Sequence, residues 1–393
     1  MHEAVDGGAL PMTTFDETTG QVTQIAKAPQ KGRGFDGHWA LVWQKFLRHK
    51  LGVAGGIVVL LAYIVALVPE FLAPVTLEAY LPAYSYAPPQ PLHWGRDDGE
   101  GWQFRPHLNA YKSVIDYNSG RRLFEEDTAN PIDVGFFVRG EPYRLLGLIP
   151  SDIHLFGPVE AGQPFFIAGA DRLGRDILSR TIYGTRISMT IGLVGVALSL
   201  VFGILIGGVS GLFGGVVDNL IQRFIEFIQS VPSIPLWIGL AAAIPTSVPP
   251  LQVYFLITVI LSVLGWTSLA RVVRGRFLAM RNEDFVKAAR LDGCGPVRII
   301  FRHMLPSFLS HIIAVVSLAI PGMILGETAL SYLGIGLRTP IVSWGVLLQE
   351  AQNVRTIASA PWLLMPGIAV VVAVLALNFL GDGLRDAADP YAE

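Results

Sequence analysis

Apolar positions in this chain fall into six long runs separated by polar segments. Residues 51–68 carry no charge and end at Pro69 and Glu70. Residues 187–217 form a second uncharged run. A third, 220–244, is interrupted by Arg223, Glu226, Pro232 and Pro235. A fourth covers 251–270, a fifth runs from Pro306 to about Leu325 with His311 as its only ionisable group, and a sixth covers 361–381. About 20 apolar residues in helical conformation cross a bilayer. Six such runs therefore predict six transmembrane helices, and they argue against a soluble helical core.

Finer patterns sit on this frame. Trp39, Val42, Trp43, Phe46 and Leu47 recur at helical spacing, with Gln44, Lys45, Arg48 and His49 opposite. Residues 38–50 are expected to form an amphipathic interfacial helix before a first span at 51–69; packing of that helix on protein is the alternative. In the second run Gly195, Ser199, Gly203, Gly207, Gly211 and Gly215 recur every four residues. On a helix they make one small-residue stripe, which lets a neighbouring backbone approach closely. Residues 70–168 are polar, aromatic and proline-rich, with strand-like pieces such as DVGFFV and PFFIAG and turn signals such as NSG. This length suits a small mixed α/β domain outside the membrane better than a structureless loop. Residues 169–393 then hold the remaining spans.

Composition agrees with the pattern. The chain is 52% hydrophobic and 15% charged, against about 25% charged in soluble domains. A net charge of −2 gives no reason to expect a nucleic-acid partner. The single cysteine, Cys294, excludes an internal disulfide and a cysteine zinc cage, and no HExxH or paired-cysteine metal motif is present. No cleavable signal peptide is visible, and residues 1–37 read as a disordered tail.

Charge also orients the spans. Arg271, Arg274, Arg276, Arg281, Lys287, Arg290, Arg298 and Arg302 crowd the loop 271–305, whereas the loop around 245–250 has no charge. The positive-inside rule puts that arginine-rich loop and both termini in the cytoplasm, and the insertion outside. Arg172, Arg175, Arg180 and Arg186 pull the other way, partly offset by Asp171 and Asp176.

The basic loop contains KAARLDGCGPVRIIFRHMLP, residues 287–306. Asn282 can cap a helix whose first turn holds Glu283 and Asp284. Gly293 and Gly295 are expected to break it, and Pro296 to start a second helix with Val297, Ile300, Phe301 and Met304 on one apolar face. A compact helix-turn-helix held by two spans suits docking on a cytoplasmic partner. A loop that only set topology would need arginines, but neither the glycines nor the apolar face. Glu226 and Glu327 are the carboxylates in or near the spans, hence candidates for a translocation pathway. An ion pair with Arg223 competes for Glu226, and support of a gate competes for Glu327.

At this point the sequence resembles a known family. Residues 287–306 are similar to the E-A-A, three residues, G, nine residues, I-x-L-P signature of permease subunits of bacterial ABC importers. Ala288, Ala289, Gly293, Leu305 and Pro306 match; Lys287 stands where glutamate is common and His303 where isoleucine is usual. GADRLGRDILSRTIYGTRIS (169–188), GETALSYLGIGL (326–337), SWGVLL (343–348) and GDGLRDAADP (381–390) resemble the dipeptide, oligopeptide and nickel branch of "C"-type permeases.

The resemblance implies an all-α polytopic protein of the bacterial inner membrane, with six helices of the type I ABC importer kind. It further implies a coupling element at Lys287, Ala288, Ala289, Gly293, Gly295, Pro296, Ile300, Phe301, Leu305 and Pro306, seated on an ATPase. None of the six lysines lies in a G-x-x-x-x-G-K-[ST] phosphate loop. ATP and Mg would therefore be held by partner subunits. The implied partners are a second homologous permease, two ATPase subunits or domains, an extracytoplasmic substrate-binding protein and the lipid bilayer. Peptides are the family's expected cargo, with nickel or short oligosaccharides open. An ion-coupled secondary transporter and a membrane sensor with an outer ligand domain are the competing classes.

Overall fold

The computed structural model describes residues 13–15, 22–24, 36–97, 102–115 and 122–388. Most of the expected tail lies outside the described residues. Within it, β1 (Thr13–Phe15) pairs antiparallel with β2 (Val22–Gln24).

Helix α1 (Asp36–Arg48) precedes the first span, α2 (Lys50–Leu67). His49 between them accepts the Gly52 N–H through Nδ1 at 2.9 Å and so caps α2. Phe46 is buried and Trp43 stacks on it, while Leu41, Trp43 and Leu47 remain exposed. The amphipathic helix thus packs one ring on protein and leaves other apolar groups for the interface. The Trp39 side chain lies outside the described residues.

A short turn, α3 (Pro69–Leu72), leads into the insertion. There β3 (His93–Asp97), β4 (Trp102–Ile115), β5 (Arg122–Leu145) and β6 (Ile149–Pro158) form an antiparallel sheet in that order. The first half of β5 pairs with β4, as in Val114↔Leu123, and the second half with β6, as in Phe136↔Phe156. Leu108, Ile132 and Phe165 centre its small core. The strand part of the mixed α/β expectation is present. The helical part shrinks to α3 and one turn at Pro82–Tyr84, because frequent prolines and aromatics leave no run at helical spacing.

Span two, α4 (Ile177–Phe213), starts ten residues before its apolar run. At 37 residues it measures about 55 Å, against about 30 Å of hydrocarbon. The third run is broken. α5 (Gly215–Gln229) and α6 (Ser233–Ala242) meet at 78°. Pro232 disfavours helical backbone at the residue before it, whereas Pro235 sits harmlessly in the first turn of α6. α7 (Pro250–Met280) is the fourth span. The described residues therefore contain five helices long and apolar enough to cross a membrane, and a sixth if the bent pair counts as one.

After α7 come α8 (Asp284–Leu291) and a short α9 (Pro296–Arg298), which continues through a π-helical turn (Ile299–Met304) and a 3-10 turn (Leu305–Phe308) into α10 (Leu309–Tyr332). α11 (Trp344–Leu348) and α12 (Val354–Ser359) precede the last span, α13 (Met365–Ala388).

The small-residue stripe faces α7. A Cβ on Gly203 would stand 2.8 Å from the Leu269 side chain, and one on Gly211 2.6 Å from Phe277. One on Gly207 would overlap the Ala270 backbone. Ser199 donates to the Ser262 carbonyl at 3.4 Å, and Ser262 to the Gly195 carbonyl at 3.0 Å. Helices gain little by leaving lipid for each other, so this close approach and these hydrogen bonds hold the pair. Gly215 departs from the stripe. It lies past the end of α4 at φ +59 with no atom near a Cβ, and with Gly214 at φ +66 it turns the chain. There Arg274 grips Asp218 with two hydrogen bonds of 2.5 and 2.6 Å, tying α5 to α7.

Candidate functional site

The basic loop folds as an elbow. α8 begins after Glu283, which makes no side-chain cap; the expected capping residue, Asn282, lies one position too early. Gly293 closes the helix at φ +75, with its N–H on the Arg290 carbonyl and that of Cys294 on the Ala289 carbonyl, both at 3.0 Å. Such a left-handed closing residue is most easily glycine. Gly295 differs: its φ of −68 suits any residue, and it precedes Pro296 at the first position of α9. Pro306 has no N–H for the usual helical bond to Arg302. The backbone slips into the π turn instead, with Leu305 N–H on the Ile300 carbonyl.

The expected apolar face divides in two. Val286, Ala289, Ile299, Ile300 and Met304 are buried in one cluster with Leu212 of α4 and Phe277 of α7. Ile300 fills the space beside Gly208, where a Cβ would sit 3.1 Å from its Cδ1. The other half faces outward: Leu291 is 88% exposed, Val297 62%, and Phe285 and Phe301 42% each. The helix period explains the split, since Ile300 and Met304 lie one turn apart on the inner side and Val297 and Phe301 on the outer. Ala288 and Lys287 are exposed as well, and Lys287 reaches Asp284 at 3.4 Å. The elbow is bolted to α4 and α7 by one surface and offers apolar groups ringed by arginines on the other.

A second assembly joins α4, α10 and the start of α11. Glu327 is 0% exposed. Its Oε1 accepts hydrogen bonds from Ser331 at 2.7 Å and Ser343 at 2.6 Å, and Ser188 donates to Oε2 at 3.5 Å. Ser343 also caps α11 by accepting the Val346 N–H, and Ser188 accepts the Trp344 N–H at 3.1 Å. The Trp344 indole donates to the Thr181 carbonyl at 3.1 Å. A Cβ on Gly345 would sit 2.8 Å from Thr328 and Ser331. One carboxylate thus locks α4, α10 and α11 together. For Glu327 the sequence leaves pathway lining and gate support both open; the hydrogen bonds of its carboxylate go to Ser188, Ser331 and Ser343. Ser188, Ser331, Ser343 and Trp344 were missed by the sequence reading. The signal was present, since polar residues repeat in GETALSYLGIGL and SWGVLL within otherwise apolar surroundings.

Glu226 is different. It lies on a half-exposed face of α5 and bonds to Arg223 at 2.7 Å. The arginines at the head of α4 are also engaged. Arg186 clamps Glu70 through two hydrogen bonds of 2.6 and 2.8 Å and caps α2 at the Ala66 and Leu67 carbonyls. Arg175 meets Asp171 at 2.6 Å, Arg180 lies 3.7 Å from it, and Arg172 reaches Glu350 at 3.3 Å. Asp176 caps α4 through Ser179 and Leu178 N–H groups, and burial pushes its carboxyl up to about 6. Burial and the nearby Asp171 also raise Glu350.

Residues 199–392 match the family described as binding-protein-dependent transport system inner membrane component, and residues 37–89 the N-terminal TM domain of oligopeptide transport permease C. The oligopeptide transport system permease protein OppC of Haemophilus influenzae is 38% identical over 234 residues, covering 59% of this chain and 72% of that protein. The chain belongs to the C-type permeases of binding-protein-dependent ABC importers. The dipeptide transport system permease protein DppC of the same organism is 37% identical over 232 residues (59% and 76% coverage), and DppC of Bacillus subtilis 37% over 224 residues (56% and 68%). Among solved structures, an inward-facing MetNI methionine ABC transporter chain aligns at 17% identity and a TM-score of 0.43, over 54% of this chain and 98% of that one. The permease is thus a multi-pass inner-membrane transport subunit, mostly helical, with a β-sheet insertion after its first span.

Proposed function

We propose that this permease forms half of the translocation pathway of an ATP-driven peptide importer. A second homologous permease completes the pathway, and two ATPase subunits or domains hold ATP and Mg. A substrate-binding protein delivers cargo on the insertion side, with both termini in the cytoplasm. The arginines at the head of α4 fit this orientation, because neighbouring carboxylates largely neutralise them and leave the elbow as the basic face. The carrying observation is the elbow: its inner residues are wedged between α4 and α7, and its outer apolar residues are bare. A partner that grips the outer half and closes on ATP moves Ile300 against Gly208 and Phe277, and so moves both spans. Lys287, Ala288, Gly293, Gly295, Pro296 and Phe301 belong to the gripped part; Ala289, Ile300, Leu305 and Pro306 join it to the spans. Glu226, on the exposed face of α5, is the pathway candidate, and the Glu327 lock is the rigid body that the elbow moves. Purification from native membranes should bring down an ATPase and a second permease. Proteoliposomes loaded with ATP and supplied with the binding protein should take up short peptides. Uptake by this chain alone, without an ATPase, would overturn the reading.

A further inference from the structure

The insertion carries a conformational anomaly at its β5–β6 turn. Residues 143–150 read YRLLGLIP and make the β5–β6 turn. Leu148 N–H donates to the Leu145 carbonyl at 3.0 Å, with Leu146 at φ +52 and Gly147 at φ +74. Two successive left-handed residues define the tight hairpin turn that normally begins with Asn, Asp or Gly. A branched apolar side chain is disfavoured there. Nevertheless Leu146, Leu148 (78% exposed) and Ile149 are all exposed at the tip, uncovered by any of the described residues.

The hairpin is aimed along a span. Gly140 and Glu141 share a cavity with Asp176 at the head of α4. Thr76 bonds to Glu141, while the adjacent Val75 N–H donates to Ser179 at 3.2 Å. Tyr143 is in electrostatic reach of Tyr183, as are Glu70 and Arg186. Positions 176, 179 and 183 descend α4 from its outer end toward the bilayer, so strand β5 descends with them. The Glu70–Arg186 clamp marks the end of the first span. At roughly 3.3 Å per residue, Leu146 lies about 10 Å of chain beyond Tyr143. An apolar surface also connects the two. Ile64 and Leu67 of α2 are exposed, Phe71 packs on Phe137 at 6.2 Å, and Phe136 and Phe137 are both exposed because Phe137 at φ +53 breaks the alternation of the strand.

We propose that the β5–β6 tip is a membrane anchor. Leu146, Leu148 and Ile149 seat in the outer edge of the leaflet on the insertion's side, and exposed Arg144 meets lipid phosphates. Interfacial segments bury apolar groups about 5–10 Å into this zone while their cations stay at the headgroups. The inference needs only that the chain spans a membrane, so it stands or falls separately from cargo and ATPase.

The test uses the assembled complex in nanodiscs of phosphatidylethanolamine and phosphatidylglycerol, in a Cys294→Ser background. A spin label on Leu148→Cys should collide with oxygen several-fold more than with an aqueous nickel chelate. Preference for the nickel chelate would place the tip in water, and exclusion of both would place it under a protein; either result overturns the proposal. Leu146→Asn with Leu148→Asn suits the turn and should preserve folding. In that variant a label on Ile149→Cys should shift several-fold toward aqueous collisions; an unchanged ratio would also overturn the anchor.

Discussion

The elbow and the Glu327 lock are mirror images in polarity. The elbow leaves leucine, valine and phenylalanine side chains in the open at the end of two spans. The lock buries a carboxylate and serine hydroxyls among apolar helices. Each costs free energy where it stands: exposed apolar groups lack a dry partner, and buried polar groups must find hydrogen bonds. In the lock that cost is met inside the chain, so it gives rigidity. In the elbow it is not, so a partner is called for. The difference teaches that an out-of-place residue marks function only after its neighbours have been inspected.

The largest expected effect breaks the lock. Glu327→Ala leaves Ser331 and Ser343 without their acceptor and opens a void, which should cost on the order of 3 kcal/mol. Heated complex should lose its monodisperse peak several degrees earlier in size-exclusion chromatography. Glu327→Gln keeps an acceptor oxygen and should lose less. Equal losses would show that charge matters more than the hydrogen bonds.

Next, Leu291→Asp or Val297→Asp should leave thermal stability within about 0.5 kcal/mol, as expected for exposed sites, yet abolish co-purification of the ATPase. Loss of both together would mean that these side chains support the fold of the elbow. Ile300→Ala sharpens the contrast by emptying the wedge between α4 and α7. It should reduce stability by about 2–4 kcal/mol and uncouple ATP hydrolysis from uptake.

How much of this was legible beforehand varies with the physics involved. The spans are set by local composition, and all six runs correspond to helices, with Pro232 bending the third. The start of α4 was not legible, because polar and charged residues interrupt its first ten positions and Ser179 and Arg186 pair with the segment around 66–75. Most of the small-residue stripe follows from period four alone, but Gly215 keeps the period after the helix has ended. In the elbow, Pro296 and Gly293 were readable because each has a conformational signature. The division of its apolar face was not, since both halves are equally hydrophobic and only tertiary packing selects Ile300 for the inside. The Glu327 lock joins residues up to 163 positions apart through Thr181 and Trp344, a separation that periodicity does not reach.

The smallest expected effect concerns Asp176. Burial raises its pKa in the folded chain to about 6, above the usual carboxylate value. The folded state therefore binds this proton more tightly than the unfolded one. Stability from this group is greatest below the unfolded value of about 4 and is lost as pH rises through about 6. Asp176→Asn retains a good cap and should flatten this slope between pH 5 and 7, read as heat stability at each pH. A slope that persists in Asp176→Asn would assign the titration elsewhere, with Glu350 the next candidate.

The most direct test of the coupling role is a disulfide crosslink in native membranes between Leu291→Cys, with Cys294→Ser, and single cysteines on the co-expressed ATPase. The elbow's role requires an efficient adduct that blocks uptake and is reversed by reductant. No adduct, or labelling of Leu291→Cys by a membrane-impermeant thiol reagent applied from the insertion side, would contradict it.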